Sequence, residues 1–141
     1  MAQLVTILFI LFAVGTIGSI VLALWIGGTD ERLAALALLI ASCASPILQA
    51  HGYTSPEMGI VLVDIGLFAA LLGIALTSRS FWPIWAAGFQ LCAVAVHLAA
   101  AKSPSMLPAT YAEALAIWAF PVLGALILGT WHKGRMRHGN G

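Results

Sequence analysis

Five apolar runs, each roughly 19 to 24 residues long and separated only by short polar breaks, constrain this chain more than any other feature. At about 1.5 Å per residue, a run of that length crosses the roughly 30 Å hydrocarbon core of a bilayer as an α-helix. The remaining composition leaves no other solvent than lipid. Of 141 residues, 62% are hydrophobic and 8% are charged, whereas a soluble domain carries about a quarter charged residues. Too little polar surface is left to cover a water-soluble globule.

The runs fall at about 3–26, 31–49, 56–78, 83–102 and 111–131. Gly27-Gly28 closes the first. Thr29 and Asp30 suit the N-cap and acidic first turn of the second. Ser55-Pro56-Glu57 supplies a cap, a proline at the first helical position and an acid near the positive helix end. Pro83 opens the fourth run. The segment Ser103-Pro104-Ser105-Met106-Leu107-Pro108 links it to the fifth, where Thr110-Tyr111-Ala112-Glu113 has the spacing of a capping box. The second run is the least apolar and contains Pro46. A four-span alternative makes it re-entrant or interfacial, but length and hydropathy favour five spans. The chain reads as one transmembrane domain over 1–141, without repeats. The first 28 residues lack a basic leader and a small-x-small cleavage site, and read as a retained helix.

Basic residues orient the bundle. Arg32, Arg79, Lys133, Arg135 and Arg137 gather on one side of the five-span topology and only Lys102 on the other. The excess marks the cytoplasmic side. The expectation is an all-α bundle with the N-terminus outside and the C-terminus cytoplasmic, in the inner (plasma) membrane of a bacterium. Trp25, Trp82, Trp85 and Trp131 then fall at the cytoplasmic boundary, and Tyr53 and Tyr111 at the outer one, where amphipathic rings are favoured.

Helix association in lipid relies on close van der Waals contact between small residues. Gly15, Ser19 and Ala23 form one such stripe; Ala34, Ala37, Ala41 and Ser45 form a second. Gly66, Ala70, Gly73 and Thr77 form a third, and Gly15, Ser19, Gly66, Ala70 and Gly73 are the packing candidates. Pro121 inside the fifth run removes an N–H donor and favours a static bend. Cys43 and Cys92 lie in apolar runs without metal-type spacing and read as small buried hydrophobes.

Candidate chemistry rests on Asp64, Gln90, His97 and Glu113. A lone ionised carboxylate at the bilayer centre costs about 2.5–3.5 kcal/mol on insertion scales, so Asp64 has to be neutral, hydrated or paired. It points nearly opposite the Gly66/Ala70/Gly73 stripe, which places the third helix centrally or at an oligomer interface. Gln90 and His97 share a face with Ala86, Ala93 and Ala100, a small-and-polar stripe that can supply interhelical hydrogen bonds or a proton relay. Glu113 reads first as a capping-box residue. Its outer level would also let it join Asp64 and His97, with Lys102 at the rim. The run Ala93-Val94-Ala95-Val96-His97 places an alanine four residues before a histidine, a spacing that resembles the pigment-binding histidine of antenna helices.

The basic tail reads as a cytoplasmic anchor, with anionic headgroups as a further partner. Phosphate-loop, zinc-protease, serine-hydrolase and paired-cysteine motifs are missing from the sequence. The first functional expectation is therefore a non-enzymatic accessory or structural subunit, packed in a larger membrane assembly or a homo-oligomer. A small proton-coupled transporter using Asp64 with His97 is the alternative. A cofactor- or pigment-binding protein acting through His97 is the remote one. No metal site, no cofactor and no nucleic-acid partner is expected; the bilayer and other membrane subunits are.

Overall fold

The computed structural model describes residues 2–48, 58–102 and 108–139. They form five helices: α1 (Ala2–Ile26), α2 (Thr29–Leu48), α3 (Met58–Thr77), α4 (Trp82–Lys102) and α5 (Pro108–Gly139). Each contains a stretch long and apolar enough to cross a membrane. The second run is thus a helix of spanning length, with Pro46 inside its last turns.

Three helix ends differ from the sequence reading. α2 is capped at Gly28 rather than at Thr29 or Asp30. Glu31 reaches back so that its carboxylate accepts the Gly28 N–H at 2.8 Å, the return half of a capping box. α5 begins at Pro108, which leaves Thr110 inside the helix and unable to act as its N-cap. Proline at the first helical position loses nothing, because that N–H has no partner within the helix. α5 also continues past Trp131 to Gly139. Lys133, Arg135 and Arg137 are good helix formers, and their charges suit the negative end of the helix dipole.

Neighbouring helices in sequence are neighbours in space, and α5 closes the bundle by packing on α1 as well as α4, with a smaller contact to α2. Gly27-Gly28 and the turn between α3 and α4 lie at the end of the bundle that carries the C-terminal part of α5. This is termed the basic end here; the opposite end is the far end. At the basic end Asp30 accepts a hydrogen bond from the Ser78 hydroxyl at 2.6 Å, joining the start of α2 to the end of α3.

The core interleaves alanines with large apolar side chains, and many further large apolar side chains lie on the surface. Ala23, Ala34 and Ala86 are fully buried, with Leu71 and Leu126 between them. Phe9, Ile17, Leu76 and Leu128 are each more than half exposed. Small side chains inside bring backbones close, and the large apolar ones outside meet lipid. α1 packs on α5 at Gly15, and Ser19 is buried one turn further along α1. Ser19 is 1% exposed, and a Cβ on Gly15 would lie 3.2 Å from a Leu123 methyl.

Gly66, Ala70 and Gly73 behave differently. All three are exposed, and a Cβ built on Gly66 or Gly73 would meet nothing within 4 Å. Among the described residues the stripe has no neighbour, because α3 packs on α2 and α4 through Leu67, Leu71 and Ile74. α3 is a peripheral helix, not a central one. Cys43 also faces outward rather than inward, while Cys92 is half-buried.

Candidate functional site

α4 carries the site because its inward face combines polar and very small residues. Trp82, Ala86, Gln90, Ala93, His97 and Ala100 are all buried along that face. The alanines let α3 and α5 approach, so that side chains on those helices reach the polar positions between them.

His97 is 1% exposed and uses both ring nitrogens. Nε2 lies 2.5 Å from Asp64 Oδ2 on α3. Nδ1 is hydrogen-bonded to the Tyr111 hydroxyl in the first turns of α5, and the two rings meet edge-on with centroids 5.6 Å apart. Gln90 Nε2 donates to the other Asp64 oxygen, Oδ1, at 2.9 Å. Asp64, Gln90, His97 and Tyr111 thus form one continuous network across three helices. Its side-chain acceptors and donors are largely satisfied, as burial demands. The Asp64 side chain alone keeps some access, at 21% exposure.

The network has two charge states that matter. With one shared proton it is neutral overall, either as carboxylate with imidazolium or as carboxylic acid with imidazole. In the first case both ring N–H groups donate, to Asp64 and to the Tyr111 oxygen. Loss of that proton leaves a net negative charge. A neutral His97 then donates Nε2–H to Asp64, and Tyr111 O–H donates to Nδ1. The tyrosine hydroxyl can reverse its role, so the hydrogen-bond chain survives either state. Engagement of both ring nitrogens leaves His97 no lone pair with which to ligate a haem or pigment in this arrangement.

Of the sequence candidates, Asp64, Gln90 and His97 are brought together. Glu113 lies in the first turns of α5, but its side chain falls outside the described part of the structure, as do His51, Tyr53 and Glu57. Lys102 is exposed at the far end of α4. Among the described residues, no group of three or more His, Cys, Asp or Glu side chains could hold a metal ion.

Two participants escaped the sequence reading. Tyr111 was expected in a headgroup belt, yet it is 5% exposed and bonded to His97. The signal available was a hydroxyl at the same helix end as a buried histidine. Glu31 was read only as the first residue of the second run, yet it is 1% exposed. Its second oxygen accepts the Trp82 indole N–H at 3.0 Å, so a second buried polar contact joins α2 to α4 at the basic end.

No protein-family model matches this chain, and no curated protein or solved structure is detectably similar to it.

Proposed function

We propose that this is a small proton-coupled membrane carrier in which Asp64 and His97 hold and release the coupling proton. The observation that carries the reading is the buried Asp64–His97–Tyr111 chain with Gln90 on the free carboxylate oxygen. Ionisable groups at membrane depth are costly and mark ion or proton pathways more often than their soluble counterparts. Here the proton count sets whether the site is neutral or negative, and a negative site attracts a cation. That is the minimal requirement for exchanging a proton against a cationic substrate. The Asp64 side chain is 21% exposed, which is compatible with a route to it, and the excess of basic residues at the opposite end supports a far end that faces outside, in a bacterial plasma membrane.

Infrared difference spectroscopy between acidic and alkaline buffer tests the proposal on the purified protein. A reversible carboxyl band is expected, lost in Asp64→Asn and altered in Tyr111→Phe. Asp64→Asn keeps an acceptor for Gln90 and therefore the fold. A spectrum that shows no carboxyl change assignable to Asp64 would refute proton exchange and reduce the network to structural glue.

The outward Gly66/Ala70/Gly73 face favours a second reading, an accessory or structural subunit that self-associates or joins a larger assembly. Open space over both glycines is what a closely approaching helix requires. Gly73→Leu should then lower the native mass of the complex in mild detergent. An unchanged mass would count against this reading and leave the carrier proposal untouched.

A further inference from the structure

At the basic end, the α3–α4 turn and α5 enclose a half-open groove of about 390 Å³. Three cationic or protonatable residues line it, Arg79, His132 and Lys133. Among the described residues none of the three is engaged in a hydrogen bond or ion pair. Two other cations among the described side chains of this end are already committed. Arg32 donates to the Leu24 carbonyl at 3.2 Å, and Arg135 lies 6.0 Å from the centre of the Trp131 ring.

The acids nearby are occupied too. Glu31 sits behind the Trp82 indole with both oxygens bonded, and Asp30 accepts from Ser78. Both acids keep their charge, and the Glu31 carboxylate and the Lys133 chain flank Gly28, so this end is positive because Arg32, Arg79, Lys133 and Arg135 outnumber Asp30 and Glu31 among its described side chains. The remaining wall of the groove is apolar. Trp85 and Leu128 are 60% and 64% exposed and form the flank that faces lipid, with Met136 beyond them. A cationic rim above an apolar flank, at the level of the interfacial tryptophans, matches a lipid headgroup above its acyl chain.

We propose that this groove binds an anionic phospholipid, its phosphate held between Arg79 and Lys133 and one acyl chain laid along Trp85 and Leu128. A positive-inside anchor needs charge alone. This site also needs the groove, and that difference is what an experiment can separate.

The test is a lipid titration of the purified protein in mild detergent, read by native mass spectrometry. Phosphatidylglycerol is expected to saturate at one tightly held molecule per chain, with phosphatidylcholine at least tenfold weaker. Arg79→Gln and Lys133→Gln should each weaken phosphatidylglycerol about fivefold, the equivalent of roughly 1 kcal/mol per charge. Arg135→Gln, the same charge change outside the groove, should leave it unaltered. Leu128→Gln, which keeps every charge, should weaken it as well; thermal unfolding verifies that each variant is folded. Equal losses in Arg79→Gln and Arg135→Gln would overturn the proposal in favour of diffuse attraction. So would equal binding of the two lipids, or an unaffected Leu128→Gln. Displacement of the lipid by inorganic phosphate would reassign the site to a free anion.

Discussion

Replacing Gly129 by alanine is expected to destabilise the bundle by about 0.5–2 kcal/mol net, because the roughly 1 kcal/mol that alanine gains as the better helix former offsets only part of the clash. A Cβ at this position would lie 2.3 Å from Cδ1 and Cγ of the Trp82 indole. No flexible tip is there to swing aside, because the atoms belong to a rigid ring. The ring is also tethered, its Nε1–H donating to Glu31 Oε1 at 3.0 Å. If the backbones part to make room, overpacking costs about 1–3 kcal/mol. If the indole moves instead, a hydrogen bond to a charged group is lost, which costs about 1.5–3 kcal/mol and strands a buried carboxylate oxygen. Thermal or denaturant unfolding in detergent, followed by tryptophan fluorescence, measures the difference. Gly73→Ala is the matched control, since a Cβ there meets nothing within 4 Å. That variant should be neutral or gain up to about 1 kcal/mol. Equal stability of Gly129→Ala and Gly73→Ala would refute the notch.

Glu31→Gln should cost about 1.5–3 kcal/mol by the same unfolding assay, because a single amide oxygen cannot replace both carboxylate acceptors and the NH₂ group would face a donor; an unchanged midpoint would mean that the Gly28 and Trp82 bonds contribute nothing. Thr16 Oγ1 is buried without a hydrogen-bond partner among the described residues, so Thr16→Val should be neutral or stabilising by up to about 1 kcal/mol, and a clear loss would show that the hydroxyl has a partner after all. A membrane-permeant maleimide should label Cys43, which faces outward, faster than half-buried Cys92; the reverse order would contradict the outward face assigned to α2.

What could be read from the sequence follows the physics that each signal reports. Run length and hydropathy gave all five helices, since crossing lipid demands a minimum length that nothing else in the chain imitates. The coincidence of Asp64 with Gln90 and His97 was also accessible, because unpaired polar groups in hydrocarbon must find one another. Helix faces were harder. Gly66/Ala70/Gly73 and Gly15/Ser19 look alike as patterns, yet one stripe faces outward and the other packs on α5 at Gly15. Small residues permit close approach without specifying from which helix. Tyr111 and Trp82 were hidden by the same ambiguity: an amphipathic ring at a helix end suits the headgroup zone and suits a buried donor equally well. Glu31 was masked by its cap role, which occupies one oxygen and leaves the other to reach Trp82.

The two buried polar contacts sit at opposite ends of one α4 face. Glu31 meets Trp82 near the basic end, and Asp64 meets Gln90 and His97 toward the far end. Between Trp82 and Gln90 lie about 12 Å of helix, and that interval is packed with buried Ala86 and Ala87 of α4, Leu71 of α3 and Leu126 of α5. Among the described residues, a layer of that composition offers a proton no relay, so on the carrier reading the Asp64–His97 pair would exchange with the far end. α5 bounds the layer with Val122, Leu123 and Leu126, immediately after Pro121. Proline cannot donate to the carbonyl one turn earlier, so α5 is joined by one hydrogen bond fewer at the point where it reaches the layer. The helix that supplies Tyr111 to the network is therefore weakest between the network and the layer that seals it.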